Sequence, residues 1–266
     1  MLHNIEKWVD RYPDKLLFSF LDARGGPVTN FSYQGFWRRV SLLASHLSDR
    51  RGLRPGDRVL LAYPAGLEMI CALFACTRVG LIPVPTAAPA AYGFASAVYR
   101  MAHIAQDCQA VALLTNRDCW DQLRRKLSQD SHPAIPSETQ LLVELPTIIT
   151  EELVGFADSV PEGRTCDIFL LQYTSGSTSS PKGVIVTHEN VMHNCRVVDH
   201  EAPCQFQYSP LKGASHLLYP SRQARSLSSA CRPVCYQMKK LPKQIPSLCQ
   251  RNVTCPITLN VSRTLF

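Results

Sequence analysis

No stretch of roughly 18 or more charge-free apolar residues with helical character occurs in this 266-residue sequence. Glu68 and Arg78 interrupt the most apolar helical segment, and Pro83, Pro85 and Pro89 punctuate the charge-free stretch after it, so no membrane span is expected. A secretion signal is also lacking, because MLHNIEKWVDRYPDK mixes both charge signs and has no apolar core ahead of a small-residue cleavage site. The expected compartment is cytoplasmic. Without an export signal the 11 cysteines are not read as a disulfide framework. Cys71, Cys76, Cys108 and Cys166 sit in or beside apolar segments, where a thiol behaves as a small hydrophobe.

Acidic residues are scarce in one part of the chain only. From Asp199 to the end, two acids accompany nine Lys or Arg, so the whole formal net charge of +7 lies in that tail. After Glu201 the tail has a single glycine, Gly213, and closely spaced prolines, with no sustained helical or alternating apolar pattern. Such composition makes a poor core, and residues 201–266 are expected to be disordered or loosely collapsed. Cys231, Cys235, Cys249 and Cys255 lack zinc-pair spacing, and no His lies among them. The scattered basic residues form no helical stripe and no aromatic platform, so no nucleic-acid partner is expected.

The first 200 residues differ: apolar content reaches 45% over the whole chain, enough for a core. KLLFSFLDARGGPVTNFSY reads as a hairpin turning between Asp22 and Pro27, where Gly25 and Gly26 can take positive φ. Ser32 offers an N-cap for a helix whose Phe36, Val40, Leu43, Ala44 and Leu47 share one face. Arg54-Pro55-Gly56-Asp57 is a turn ahead of the strand RVLLAY. GLEMICALFACTRVG reads as a helix stopped at Gly80, after which LIPVP is extended. A helix over Tyr99–Asp107, a strand over Gln109–Thr115, a helix over Trp120–Leu127 and a strand at LLVEL complete an alternation. It implies an α/β domain with a mostly parallel sheet flanked by helices.

DIFLLQY, residues 167–173, is the best strand of this set, and ligands of such sheets bind where strands end. The segment leaving it carries hydroxyls on Thr174, Ser175, Ser177, Thr178, Ser179 and Ser180, small backbone at Gly176 and Gly183, and a cation on Lys182. A phosphate chain needs these parts: converging donors, close backbone approach and one mobile positive charge. It is not a Walker loop, since Lys182 follows Pro181 and precedes Gly183, and no helix-forming run comes next. His188 is read as a capping or hydrogen-bonding residue at the start of the following helix, and His193 as a surface residue.

YTSGSTSSPKGVIVTHEN resembles, almost residue for residue, the phosphate-loop signature of the adenylate-forming (AMP-binding) enzymes. With Ser179 where the family usually has glycine, and FLLQ before it, the match is most similar to the fatty acyl-AMP ligase and long-chain acyl-CoA synthetase branch. RYPDKLLFSFLD, FSYQGFWRRV, RPGDRVLLAYPAGLEMICALFACTRVGLIPVP and QDCQAVALLT resemble that branch in the same order, over roughly residues 5 to 200. The resemblance implies the N-terminal portion of the large domain of those enzymes over residues 1–200. It also implies ATP and Mg²⁺ as cofactors, a fatty acid as substrate, and a carrier protein or coenzyme A as acceptor. Thr174, Ser175, Gly176, Ser177, Thr178, Lys182 and Gly183 would hold the β- and γ-phosphates, with Lys182 in the catalytic role.

The family's adenine-binding segment, its Tyr-Gly-x-Thr-Glu metal-holding motif, its ribose-binding aspartate and its C-terminal catalytic lysine find no counterpart in residues 200–266. The branch's tryptophan and His-Asp pair are missing there too, as the three tryptophans are Trp8, Trp37 and Trp120. Such a break is what a frameshift or retained intron gives. The expectation is therefore a truncated ligase, inactive alone, with a non-catalytic binding module as the alternative.

Overall fold

A computed structural model describes residues 2–22, 26–49, 52–88, 94–128, 137–155, 166–174 and 181–201. The basic tail, with the four cysteines weighed for zinc, lies outside the described residues. Helix α1 (Leu2–Arg11) precedes a hairpin of β1 (Leu16–Leu21) and β2 (Pro27–Ser32), closed where the Gly26 amide donates to Asp22 Oδ1 at 2.8 Å. Gly26 does this without positive φ, so the turn uses the Asp22 side chain where glycine freedom was expected. Gly25 lies outside the described residues.

Helix α2 (Tyr33–Asp49) starts as its sequence dictates, with the Gly35 amide donating to Ser32 Oγ at 3.1 Å. Phe36, Val40, Leu43, Ala44 and Leu47 are all buried on its inner face. Arg54 to Asp57 form the turn before β3 (Arg58–Tyr63). Gly56 has φ +90°, and Asp57 returns both a backbone bond to Arg54 O and a carboxylate to the Arg54 amide. Helix α3 (Leu67–Arg78) ends through Gly80 at φ +76°: the Gly80 amide bonds Thr77 O and the Leu81 amide bonds Cys76 O. That paired closure satisfies the last carbonyls and turns the chain directly into β4 (Ile82–Ala87).

Helix α4 (Phe94–Asp107) leads to β5 (Ala112–Thr115). Helix α5 (Arg117–Ser128) is capped by the Asn116 carboxamide, and α6 (Leu141–Glu144) precedes β6 (Thr147–Ile149). The LLVEL segment is therefore mostly helical, against expectation. Leu145 precedes Pro146, which disfavours helical backbone before it; Leu145 turns extended at ψ 133° and the strand begins only at Thr147. Strands β4-β3-β5-β6 lie side by side in one parallel sheet. Successive residues of β3 face opposite layers: Val59, Leu61 and Tyr63 pack with α2 and α3, while Leu60 and Ala62 pack against α4. No helix among the described residues is long and apolar enough to cross a membrane. The six described cysteines are all free, and Cys71, Cys76, Cys108 and Cys119 are buried.

The remaining strands, β7 (Ile168–Thr174) and β8 (Lys182–Thr187), pair with each other in antiparallel fashion and lead to α7 (His188–Glu201). The expectation that β7 extends the parallel sheet is thus corrected. It runs alongside β4, yet its hydrogen-bond ladder is with β8. The cause lies in β4. The Ile82 amide bonds Asp57 O toward β3, so Pro83 and Pro85, one residue out of phase, occupy the outward-facing amide positions without an N–H. The β4 edge next to β7 therefore lacks two donors that a ladder would use.

Candidate functional site

The hydroxyl-rich segment joins β7 to β8, and the register across that hairpin fixes its base: Thr174 pairs with Lys182, and Tyr173 with Gly183. Thr174 is exposed, Lys182 is half-buried, and Gly183 is buried within β8. Ser175, Gly176, Ser177 and Thr178, with Ser179 and Ser180, lie outside the described residues. The structure thus brings together three of the seven expected site residues, Thr174, Lys182 and Gly183, at two adjacent rungs of one ladder. No acidic side chain pairs with Lys182 among the described residues. A hydroxyl and an ammonium without an acidic partner among the described residues, at the mouth of the connecting segment, suit an anion with several oxygens. No group of three His, Cys, Asp or Glu able to hold a metal occurs among the described residues.

Both ends of the hairpin are anchored by local chemistry. A register irregularity between Ile168 and Leu170 sends two successive side chains, Phe169 and Leu170, into the layer of α2 and α3. Beyond it, Leu171 and Tyr173 face α4. On β8, Val186 is buried and Val184 packs against the same cluster as Leu170. At the far end the His188 amide donates to Asp167 O at 3.1 Å, and the His188 ring lies 5.4 Å from that of Phe169. Burial pushes the His188 imidazole pKa below its ordinary value, favouring the neutral ring.

The cap of α7 belongs to Thr187 rather than to the His188 side chain. Thr187 Oγ1 accepts from the Asn190 amide at 3.1 Å and Asn190 Oδ1 accepts from the Thr187 amide at 3.0 Å. The Thr187-to-Asn190 spacing in THEN was the available signal for this reciprocal cap. His193 is half-buried, not fully on the surface. At the other end of the hairpin, the Tyr173 hydroxyl donates to Asp107 Oδ2 at 2.5 Å. No spacing rule links residues 66 positions apart, and sequence reasoning missed this bond.

The AMP-binding enzyme family matches residues 5–219. A long-chain-fatty-acid–AMP ligase of Mycobacterium marinum is 34% identical over 194 residues, covering 71% of this chain and 31% of the ligase. The medium-chain-fatty-acid acyl-carrier-protein ligase JamA of Moorena producens is 31% identical over 181 residues, 68% of this chain and 29% of JamA. The fatty acyl-adenylate ligase of Legionella pneumophila, solved with acyl adenylate and pyrophosphate, superposes with a TM-score of 0.60 at 26% identity, covering 75% of this chain and 32% of that one. The chain thus spans about 30% of the length of the relatives it matches.

Proposed function

This chain belongs to the AMP-binding enzyme family, and we propose that its β7–β8 hairpin grips the phosphates of ATP for activation of a fatty acid. The observation that carries this is the ladder pairing of Thr174 with Lys182, which has no acidic partner among the described residues, at the base of a segment rich in hydroxyls and glycine. In the reaction of the complete domain, a carboxylate oxygen attacks the α-phosphorus, the bond from that phosphorus to the bridging oxygen breaks, and pyrophosphate leaves with the electron pair. Lys182 then neutralises charge on the β- and γ-phosphates, while the hydroxyls and amides from Thr174 to Thr178 hold them in line. Gly183, buried opposite Tyr173, lets the two strands close tightly beneath the phosphates. Mg²⁺, when bound, would supply further positive charge against the phosphates. The family's Tyr-Gly-x-Thr-Glu motif, whose acid would help hold it, has no counterpart in residues 200–266.

The finer assignments are part of the same proposal. The substrate is a fatty acid, the acceptor of the acyl group a carrier protein or coenzyme A, and the compartment cytoplasmic. Residues 200–266 carry none of the family's adenine, ribose or catalytic-lysine segments, so the 266-residue chain binds nucleotide phosphates without completing turnover. The test adds ATP and a long-chain fatty acid to the purified chain and measures both retained nucleotide and released pyrophosphate. Bound ATP without pyrophosphate release is the expected result. Orthophosphate release without any fatty acid would overturn the reading in favour of an ATPase.

A further inference from the structure

The hairpin that presents Thr174 and Lys182 has little directional attachment to the rest of the domain. Pro83 and Pro85 remove amide donors from the β4 edge beside it, and no ladder joins β7 to the parallel sheet. What remains is apolar packing: Leu171 and Tyr173 share a buried cluster with residues of α4, and Leu170 and Val186 share the other with residues of α2 and α3. Such packing is non-directional and supplies no hydrogen bond between the hairpin and the rest of the domain.

One directional contact adds to this packing. Tyr173, on the last rung before the Thr174–Lys182 pair, donates its hydroxyl to Asp107 Oδ2 at 2.5 Å. Asp107 is the last residue of α4, held in turn by the closure Cys108 N to Ile104 O and Ala110 N to Ala105 O. Among the described residues this is the only side-chain hydrogen bond from β7 or β8 to another element of the α/β body. Burial, reinforced by the neighbouring carboxylate, holds the Tyr173 phenol well above its ordinary pKa, so it stays a donor throughout the neutral range.

We propose that the Tyr173–Asp107 bond is a positioning tether that fixes where the hairpin sits along β4 and hence where Thr174 and Lys182 meet phosphate. Its consequence for ligand rests on the phosphate-gripping role of the hairpin; the tether itself does not. Tyr173 touches no reacting atom in this scheme and acts through the two residues beyond it.

The experiment is amide hydrogen exchange on the unliganded 266-residue chain, with pyrophosphate titration as a second arm. The variants are Tyr173→Phe, Asp107→Ala, Asp107→Asn and the double variant Tyr173→Phe with Asp107→Ala. Loss of one charge-assisted bond is expected to speed exchange across residues 182–186 about fivefold in Tyr173→Phe and in Asp107→Ala, and to weaken pyrophosphate binding by a similar factor. The double variant should add nothing to either single change, because both remove the same bond. Asp107→Asn, whose carboxamide oxygen still accepts from the phenol, should restore exchange and affinity to near the parent values, a rescue that a simple packing role does not produce. Unchanged exchange in Tyr173→Phe, or effects that sum in the double variant, overturns the tether. Should the parent chain fail to bind pyrophosphate while the exchange pattern holds, the phosphate role fails and the tether stands.

Discussion

Replacing Arg39 by methionine removes a guanidinium that ties three elements together while keeping its apolar stem. Arg39 Nη2 lies 2.5 Å from Glu68 Oε1 and its Nε 3.3 Å from Oε2, joining α2 to the first turn of α3. Its other donors reach Thr150 O at 2.9 Å and Leu153 O at 2.8 Å, fixing the backbone just after β6. The Tyr63 hydroxyl adds a bond to Thr150 Oγ1 at 3.1 Å. The side chains of Arg39 and Glu68 are 18% and 30% exposed, so the ion pair is neither a freely screened surface pair nor a fully buried one. A loss of about 1–2 kcal/mol for the pair, with about 0.5–1 kcal/mol for each carbonyl left without a donor, is the estimate appropriate to that intermediate burial. The sum is about 2–4 kcal/mol, which for a unit of this size lowers the melting temperature by roughly 5–12 °C. Thermal unfolding followed by far-ultraviolet circular dichroism measures it, with hydrogen exchange at residues 150–153 as the local readout. A melting temperature within 2 °C of the parent, or exchange at those residues unaltered, would refute the assignment of Arg39 as a clamp.

Other positions give further outcomes. Gln109 has φ +51° at the C-terminal closure of α4, so Gln109→Gly should stabilise by roughly 0.5–1 kcal/mol in urea unfolding by relieving the left-handed strain. Burial pushes the Cys71, Cys76 and Cys108 thiols up to about 12; native-state alkylation at pH 8 followed by mass spectrometry should therefore modify the exposed Cys195 and spare these three. The same shift has a stability consequence. Folded pKa values lie above the unfolded ones, so the thiol contribution is fully present below about pH 8.5. It declines as the pH rises toward about 12. Replacing the three residues by alanine, if the chain still folds, should flatten that alkaline slope.

Where a structural rule acts over a few neighbouring residues, the sequence was sufficient. The Ser32 cap, the buried stripe of α2, the Pro55-Gly56 turn and the Gly80 closure are each decided within about one helical turn or one reverse turn, and each is found as expected. LLVEL failed because a short apolar run satisfies both helical and extended periods, and Pro146 settled the matter from outside the run. The placement of β7 failed for a related reason. Its apolar sequence fits a buried strand of any sheet, while its partner was selected by the prolines of β4 and by the antiparallel return of β8. At the candidate site, residue chemistry singled out Thr174 and Lys182, and the fold sets the two opposite each other on one ladder. The long-range polar contacts did not show themselves, since Asp107 with Tyr173, and Arg39 with Glu68, Thr150 and Leu153, are brought together only by the completed fold.

Isothermal titration of the 266-residue chain with ATP, beside its Lys182→Ala variant, tests the phosphate-gripping assignment most directly. The account predicts that the parent binds, and that removing the ammonium weakens binding about tenfold or more with the melting temperature unchanged. Equal affinity in parent and variant, or no ATP binding by a folded parent, would contradict it.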